Sequence, residues 1–428
     1  MTTRLLLLAL LGLVPVMLVP GWTSALIVAG IIAIAAVVDF FLVPPPRLVS
    51  LQRTPGPMVR LGDPTDCTLT LVNDSPRRLR IAVRDAWSPS AGAKSTRSSF
   101  VLSAGADAQV VTELLPVRRG ALEADKVTIR SRSPLGLIAR QKSVDVPAVV
   151  RVLPPFVSRR ELPSKTQKLR ELDGRSAVMI RGMGTEFDSL RDYVDGDDVR
   201  SIDWRASARA QDLVVKTWRP ERDRRVVIVV DSSRLSARRC GGGTVFDAAL
   251  ESALLLTALA SGAGDRVDVV VADARIRAIA SSHRSKDPVH DLSVALTTVH
   301  PELYDADWEQ ISSTVLSTSR QHALVVLVTA LDEGSVSDEI LPVLPTLMAR
   351  HRVVLASVED PGLAELAADR DGTDEIFTAA AAEAELLRAK SLQTRLRGAG
   401  VQSVAAGPDD LPGALADLYI DLKATGKL

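Results

Sequence analysis

A chain of 428 residues with 52 basic and 52 acidic side chains has room for two or three domains, and it carries no net field to steer a polyanion. Nucleic acid is not an expected partner. Its two cysteines, Cys67 and Cys240, lack paired spacing, and His283, His290, His300, His322 and His351 show no His-x-x-x-His or His-Glu pattern, so neither a disulfide framework nor a histidine metal site is signalled.

Residues 1–43 read as a two-helix transmembrane hairpin. Leu5 to Val19 is apolar apart from glycine and proline, Pro20 to Trp22 break the run, and it resumes from Ser24 to Val38 before Asp39 and "FFLV". As a helix the first run spans roughly 22 Å, short for a hydrocarbon layer of about 30 Å, while the second nearly crosses with Asp39 near the interface. Arg4 and a leucine-rich core would also suit a signal peptide, but no small-residue cleavage site leads into a soluble start. Arg4 precedes the pair, Arg47 and Arg53 follow it, and the turn holds no Lys or Arg. Both ends, and the bulk of the chain, are therefore expected on the cytoplasmic side of the cell membrane.

From 44 to 155 the pattern becomes short alternating runs such as "DCTLTLVND", "RLRIAVRDA" and "DKVTIRSRSP", separated by turn residues. Period-two alternation of this kind predicts a β-sandwich-like domain with a structural or partner-binding role. Residues 156–224 form a charged segment with an edge strand. From 225 to 428 the pattern alternates between strands and helices: "RRVVIVVDSS" is a strand buried on both faces, Thr244 caps the helix "FDAALESALLLTALASGAG", and "DRVDVVVADARIRAIA" gives a strand pair. Further helices are predicted over 290–299, 307–318, up to 350, 377–397 and 409–425. The expected fold class is multidomain: the hairpin, the β-sandwich-like domain, then a doubly wound α/β domain whose ligand site lies outside the carboxyl ends of the strands.

That rule points to "DSSRLS", Asp231 to Ser236, at the end of the first α/β strand. The run resembles the metal-ion-dependent adhesion site of von Willebrand factor A domains, whose pattern is Asp-x-Ser-x-Ser. Asp231 and Ser233 match, Leu235 replaces the second serine, and Ser236 comes one residue late. The resemblance implies a von Willebrand factor A-like domain and a divalent cation such as Mg²⁺, a hard ion that prefers oxygen ligands. It also implies a second carboxylate after a later strand, where Asp332 stands shortly behind Thr329. The plainer reading is that Asp231, Ser232 and Ser233 turn the chain and cap backbone amides.

Between Arg181 and Arg225, ten acidic and ten basic residues crowd together, against 24% charged residues overall. Gly196 before Asp197 and Asp198 permits a tight turn, Arg191, Arg200 and Arg209 suit bidentate contacts with carboxylates, and Tyr193 and Trp204 supply apolar mass. A carboxylate–guanidinium network holding an irregular loop is expected, with Val214 to Trp218 pairing beside the central strand. The stretch "GTEFDSLRDYVDGDDVRSIDWRASARAQDLVVKTWRPERDRRVVIVVDSS" resembles the signature of the bacterial "domain of unknown function 58" family. The resemblance implies a membrane-anchored protein associated with MoxR-type AAA+ ATPases in chaperone-like assembly or maturation of other proteins. Its signature positions here, Glu186, Arg191, Tyr193, Gly196, Asp197, Asp198, Arg200, Asp203, Trp204 and Arg209, are then the candidate partner surface.

Two other classes stand beside the adaptor reading. One is a metal-dependent hydrolase using Asp195, Asp197, Asp198 or Asp203, although nearby arginines would lower their pKa values. The other is a purely structural cell-envelope protein. No nucleotide is expected: "GxxxxGK[ST]" is absent, "RRCGGGT" lacks the lysine, and "TGK" at Thr425 to Lys427 has no helix behind it.

Overall fold

The computed structural model of the chain describes residues 3–179, 186–219 and 224–428, with the side chains of 173–179, 186–188, 217–219 and 284 outside that description. Two compact units are present, Met1–Pro155 and Phe156–Leu428.

In the first unit, α1 (Thr3–Leu18) and α2 (Trp22–Leu42) pack as an apolar hairpin. Gly12 lets them approach: a Cβ there would stand 2.8 Å from Val28 Cγ1. Away from that seam the helices expose Leu11, Met17, Leu26, Ile31 and Phe41, a surface suited to lipid. At 16 residues α1 is about 24 Å long, again short of a full hydrocarbon layer. The apolar helix α5 (Val245–Gly262) of the second unit differs, because 72% of it is buried in protein.

The β-rich part of this unit holds two sheets. One is antiparallel, with β1 (Val49–Pro55), β3 (Thr65–Asn73) and β6 (Asp107–Leu114); the other orders β2 (Val59–Arg60), β9 (Val149–Leu153), β7 (Gly120–Arg132), β4 (Leu79–Trp87) and β5 (Arg97–Leu102), with β8 (Ala139–Val144) also paired to β7. Alternation does the work: Leu69 and Leu71 of β3 meet Leu79, Ile81 and Val83 of β4 and Val127 and Ile129 of β7 in one core. Gly92 is required where the chain turns toward β6, since its φ is +62° and a Cβ would fall 1.9 Å from the Leu115 carbonyl oxygen.

Arg53 is buried in this unit. Its guanidinium donates to Asp85 at 2.9 and 2.5 Å and to the Asp125 carbonyl at 2.7 Å, while Trp87 Nε1 and Thr112 Oγ1 donate to the other Asp85 oxygen at 3.1 and 2.8 Å. The arginine used above to orient the hairpin is thus consumed inside the β domain and is not an interface charge. Burial, with Asp85 adding, pushes the neighbouring Cys67 thiol up to about 11. Both cysteines are free and buried.

The second unit begins with α3 (Leu162–Met179), which the polar run "PSKTQKLREL" hides; only Leu162, Leu169 and Leu172 of its described side chains reach the core. A hairpin of β10 (Glu186–Asp192) and β11 (Val214–Arg219) encloses α4 (Trp204–Ala210). Here the structure corrects an expectation: Val214 to Trp218 pairs with β10, not with the central strand β12 (Arg225–Asp231). Both edges of β12 are already taken in parallel by β15 (Arg266–Ala272) and β17 (Leu324–Thr329).

The six-stranded sheet has the order β16-β15-β12-β17-β18-β19, where β16 is Ile276–Ser281, β18 Arg352–Val358 and β19 Gln402–Ala406. Only β16 is antiparallel. Val226, Ile228 and Val230 of β12 face one helical layer, with α5 and α11 (Leu411–Ala424), and Val227 and Val229 face the other, with α7 (Trp308–Thr318), α8 (Leu341–Met348) and α10 (Thr373–Gly398). A strand buried on both faces has no polar alternation to show, as the sequence indicated. A small hairpin, β13 (Arg239–Cys240) with β14 (Gly243–Thr244), ends in the Thr244–Asp247 capping box of α5. The remaining helices are α6 (Pro288–Ala295) and α9 (Pro361–Ala368), the latter unforeseen.

Candidate functional site

The chain leaves β12 toward β15 on one side and returns to β17 on the other, so the strand order reverses at β12. Such a switch point opens a crevice at the carboxyl ends of the strands. Asp231 ends β12 and Thr329 ends β17, and both are 1% exposed.

The two residues are joined directly. Thr329 Oγ1 donates to Asp231 Oδ2 at 2.6 Å, and the Ser233 amide donates to Asp231 Oδ1 at 2.7 Å. Ser236, fully buried, places its hydroxyl close enough to pull the Asp231 carboxyl downward, yet Ser236 Oγ lacks a hydrogen-bond partner of good geometry among the described residues. Against these hydroxyls, burial pushes the Asp231 carboxyl up. A buried carboxylate ringed by hydroxyl oxygens is a hard-oxygen donor set, and each hydroxyl that gives its proton to Asp231 keeps lone pairs for a cation.

The loop that carries these serines is pinned from outside. Ser232 N donates to the Ala272 carbonyl at 2.8 Å and Ser232 Oγ to Asp273 at 3.3 Å; Asp273 also takes Arg277 Nε at 2.5 Å. Arg234 stands exposed at the mouth, held above its ordinary range chiefly by Asp305, with Asp332 and Glu339 adding. Asp332 is half-buried and accepts the Ser335 amide at 3.3 Å where a π-helical turn, Ser335–Ile340, begins. Among the described residues no three His, Cys, Asp or Glu side chains gather closely enough to hold a metal by themselves. A cation here would have to rely on Ser and Thr oxygens beside Asp231.

The structure uses the acidic stretch mainly for caps. Asp197 pairs with Arg191 at 2.5 Å and accepts the Val194 amide, which holds Asp197 below and Arg191 above their ordinary ranges. Asp198 accepts the Arg200 amide at 2.9 Å. Asp203 caps α4 through the Arg205 and Ala206 amides and meets Lys216 at 3.2 Å, so it too is held low, first by the Ala206 amide. Among the described residues Arg200 and Arg209 are exposed without an ion pair, so the expected three-arginine network reduces to one pair. Gly196 turns with φ +109°. Tyr193 is half-buried, its amide bonded to the Leu213 carbonyl, whereas Trp204 is 67% exposed. The side chain of Glu186, like residues 184–185 and 220–223 of the signature, lies outside the described residues.

These features define a two-unit protein: an apolar hairpin with a β-rich domain, and an α/β unit with an oxygen-lined site at its switch point. Residues 189–400 match, and belong to, the family described as "Protein of unknown function DUF58". Uncharacterized proteins of Mycobacterium bovis and Mycobacterium tuberculosis are each 26% identical over 213 residues, 48% of this chain. The chain spans 65% of the length of these curated relatives. Among solved structures, the ASH/PapD-like domain 7 of human CEP192 is 12% identical, with 26% of this chain and 88% of that one covered at a TM-score of 0.22. The CARDB domain of the PF1109 protein from Pyrococcus furiosus is 9% identical, with 24% and 87% covered at a TM-score of 0.19.

Proposed function

We propose that this chain is a membrane-anchored, cytoplasm-facing adaptor whose α/β unit is a von Willebrand factor A-like domain that docks a protein partner through a divalent cation, Mg²⁺ first. Asp231, Ser233, Ser236 and Thr329 would hold the ion, with Asp332 at the mouth. The carrying observation is the Asp231–Thr329 pair across the switch point, beside the buried Ser236 hydroxyl, which has no hydrogen-bond partner of good geometry among the described residues. A cation held by few protein ligands can accept a carboxylate from another chain, which makes the contact metal-dependent.

The family resemblance suggests a MoxR-type AAA+ ATPase as that partner. The signature hairpin supports a docking role, because Trp204, Val194 and Val199 are 67%, 61% and 63% exposed amid charged side chains. A hydrolase reading finds less support, since Asp197 and Asp203 are pulled low rather than raised as a general acid requires. Affinity purification of the intact chain from its native membrane in Mg²⁺ tests the adaptor reading, beside wild type in EDTA and Asp231→Asn. An AAA+ ATPase retained only by wild type in Mg²⁺ is the expected result; retention in all three samples contradicts it.

A further inference from the structure

The base of the helical hairpin carries an arrangement that the adaptor role does not use. Asp39, in the last turn of α2, is fully buried and accepts four donors from the β7–β8 loop: Ser133 Oγ, and the amides of Leu135 at 3.2 Å, Leu137 at 2.9 Å and Ile138 at 3.0 Å. The carboxylate is satisfied by the loop and has no ion pair among the described residues. Three guanidinium groups then converge on the same few residues. Arg140 donates to the Phe40 carbonyl at 3.2 Å and lies 4.4 Å over the Phe40 ring, Arg80 reaches the Pro134 carbonyl at 3.4 Å, and Arg4 reaches the Leu135 carbonyl at 3.5 Å.

A fourth, Arg132, is exposed and sits directly opposite Arg80 in the β4–β7 register. Like charges opposite one another weaken a sheet, and among the described residues none of these four arginines has a carboxylate within ion-pair distance. Leu135, 53% exposed, projects from the loop between them. Four cations, a satisfied carboxylate and an exposed leucine therefore surround the point where an apolar helix leaves the β domain.

We infer that this collar of Arg4, Arg80, Arg132 and Arg140 binds the phosphate of anionic phospholipid headgroups. The inference rests on the membrane reading of α1 and α2. Guanidinium suits a phosphodiester through paired N–H donors, and Arg4, Arg80 and Arg140 each spend only one described donor on a carbonyl. A lipid is favoured over a soluble anion because the collar adjoins the exposed apolar surface of Phe41, Leu42 and Leu135, where acyl chains would lie. Asp39 fixes the loop against the helix end, so the collar is positioned by the membrane segment itself.

The test uses the full chain in lipid nanodiscs that mix phosphatidylglycerol with phosphatidylcholine, followed by mild detergent extraction and mass spectrometry of the retained lipid. Wild type should retain phosphatidylglycerol preferentially. Arg80→Gln/Arg132→Gln/Arg140→Gln should lose that preference, on the order of five-fold for each arginine removed, while the three Arg→Lys changes should keep most of it as point charges. Equal retention of both lipids by wild type, or an unchanged preference in the Gln variant, overturns the inference. Displacement of the lipid by millimolar inorganic phosphate assigns a free-phosphate site and overturns the lipid assignment. Alkaline carbonate extraction of native membranes is read separately: release of the chain overturns the membrane reading, whereas a retained chain without lipid preference overturns only the collar.

Discussion

Thr329 at the end of β17 donates its hydroxyl proton to Asp231 at the end of β12, 2.6 Å away, across the strand pair where the sheet order reverses. The bond joins residues 98 apart in sequence and makes one site of two loops.

Trp204 separates docking from stability. Its ring is 67% exposed at the start of α4, so Trp204→Ala should leave the thermal midpoint of the purified chain almost unchanged. The same variant should retain several-fold less partner in Mg²⁺, as a lost aromatic anchor does. Unchanged partner retention in a quantitative pull-down would remove Trp204 from the docking surface.

Asp203 is a structural carboxylate. Asp203→Ala should speed amide hydrogen exchange at Arg205, Ala206 and Val214, because it removes the α4 cap and the Lys216 contact that anchor this hairpin. Asp195→Ala, at an exposed position, should leave those amides as they are. Equal effects would mean that the cap does not hold the hairpin.

The Arg53–Asp85 pair makes a double-mutant comparison informative. Asp85→Ala leaves a buried guanidinium unpaired and should cost about 3–5 kcal/mol of β-domain stability in denaturant titration. Arg53→Met with Asp85→Leu should recover a large part of that loss, since a well-packed apolar pair avoids desolvating two charges. A double variant as unstable as the single one would show that the carbonyls and Trp87 also require the ions.

His351 sets a pH dependence. It is buried after α8 with neither ring nitrogen hydrogen-bonded among the described residues, and burial holds its pKa below the ordinary value of about 6.5. The unfolded chain therefore takes the proton first. The contribution to stability is full above that ordinary value and is lost as pH falls through the depressed folded value. His351→Leu should flatten the loss of thermal midpoint over that window; an unchanged slope would place the acid sensitivity elsewhere.

The α/β sheet was legible because its strands are apolar on both faces and its helices carry caps such as Thr244, local signals that tertiary contacts reinforce. The site was half legible. Asp231 and Ser233 stand in one motif, but Thr329 joins them only through the order of strands, and Ser236 becomes part of the site because the loop after Ser233 turns its hydroxyl inward. The expected pairing of Val214 to Trp218 with the central strand failed because a sequence does not show that both edges of β12 are filled. Among the described residues the arginine network shrinks to the Arg191–Asp197 pair for a different reason: backbone amides at helix starts compete for Asp198 and Asp203. Asp39 and the β7–β8 loop could not be linked by spacing at all, since Ser133 lies 94 residues beyond Asp39, with most of the β domain between them.

Electron paramagnetic resonance of Mn²⁺, titrated into the purified metal-free chain as a stand-in for Mg²⁺, tests the cation site most directly. One ion bound by wild type, at least ten-fold weaker in Thr329→Val and Asp231→Asn variants of unchanged fold, is the result predicted here, since each change removes an oxygen from the coordinating set. Binding of equal strength in all three proteins, or none in wild type, would contradict a metal-dependent contact at the end of β12.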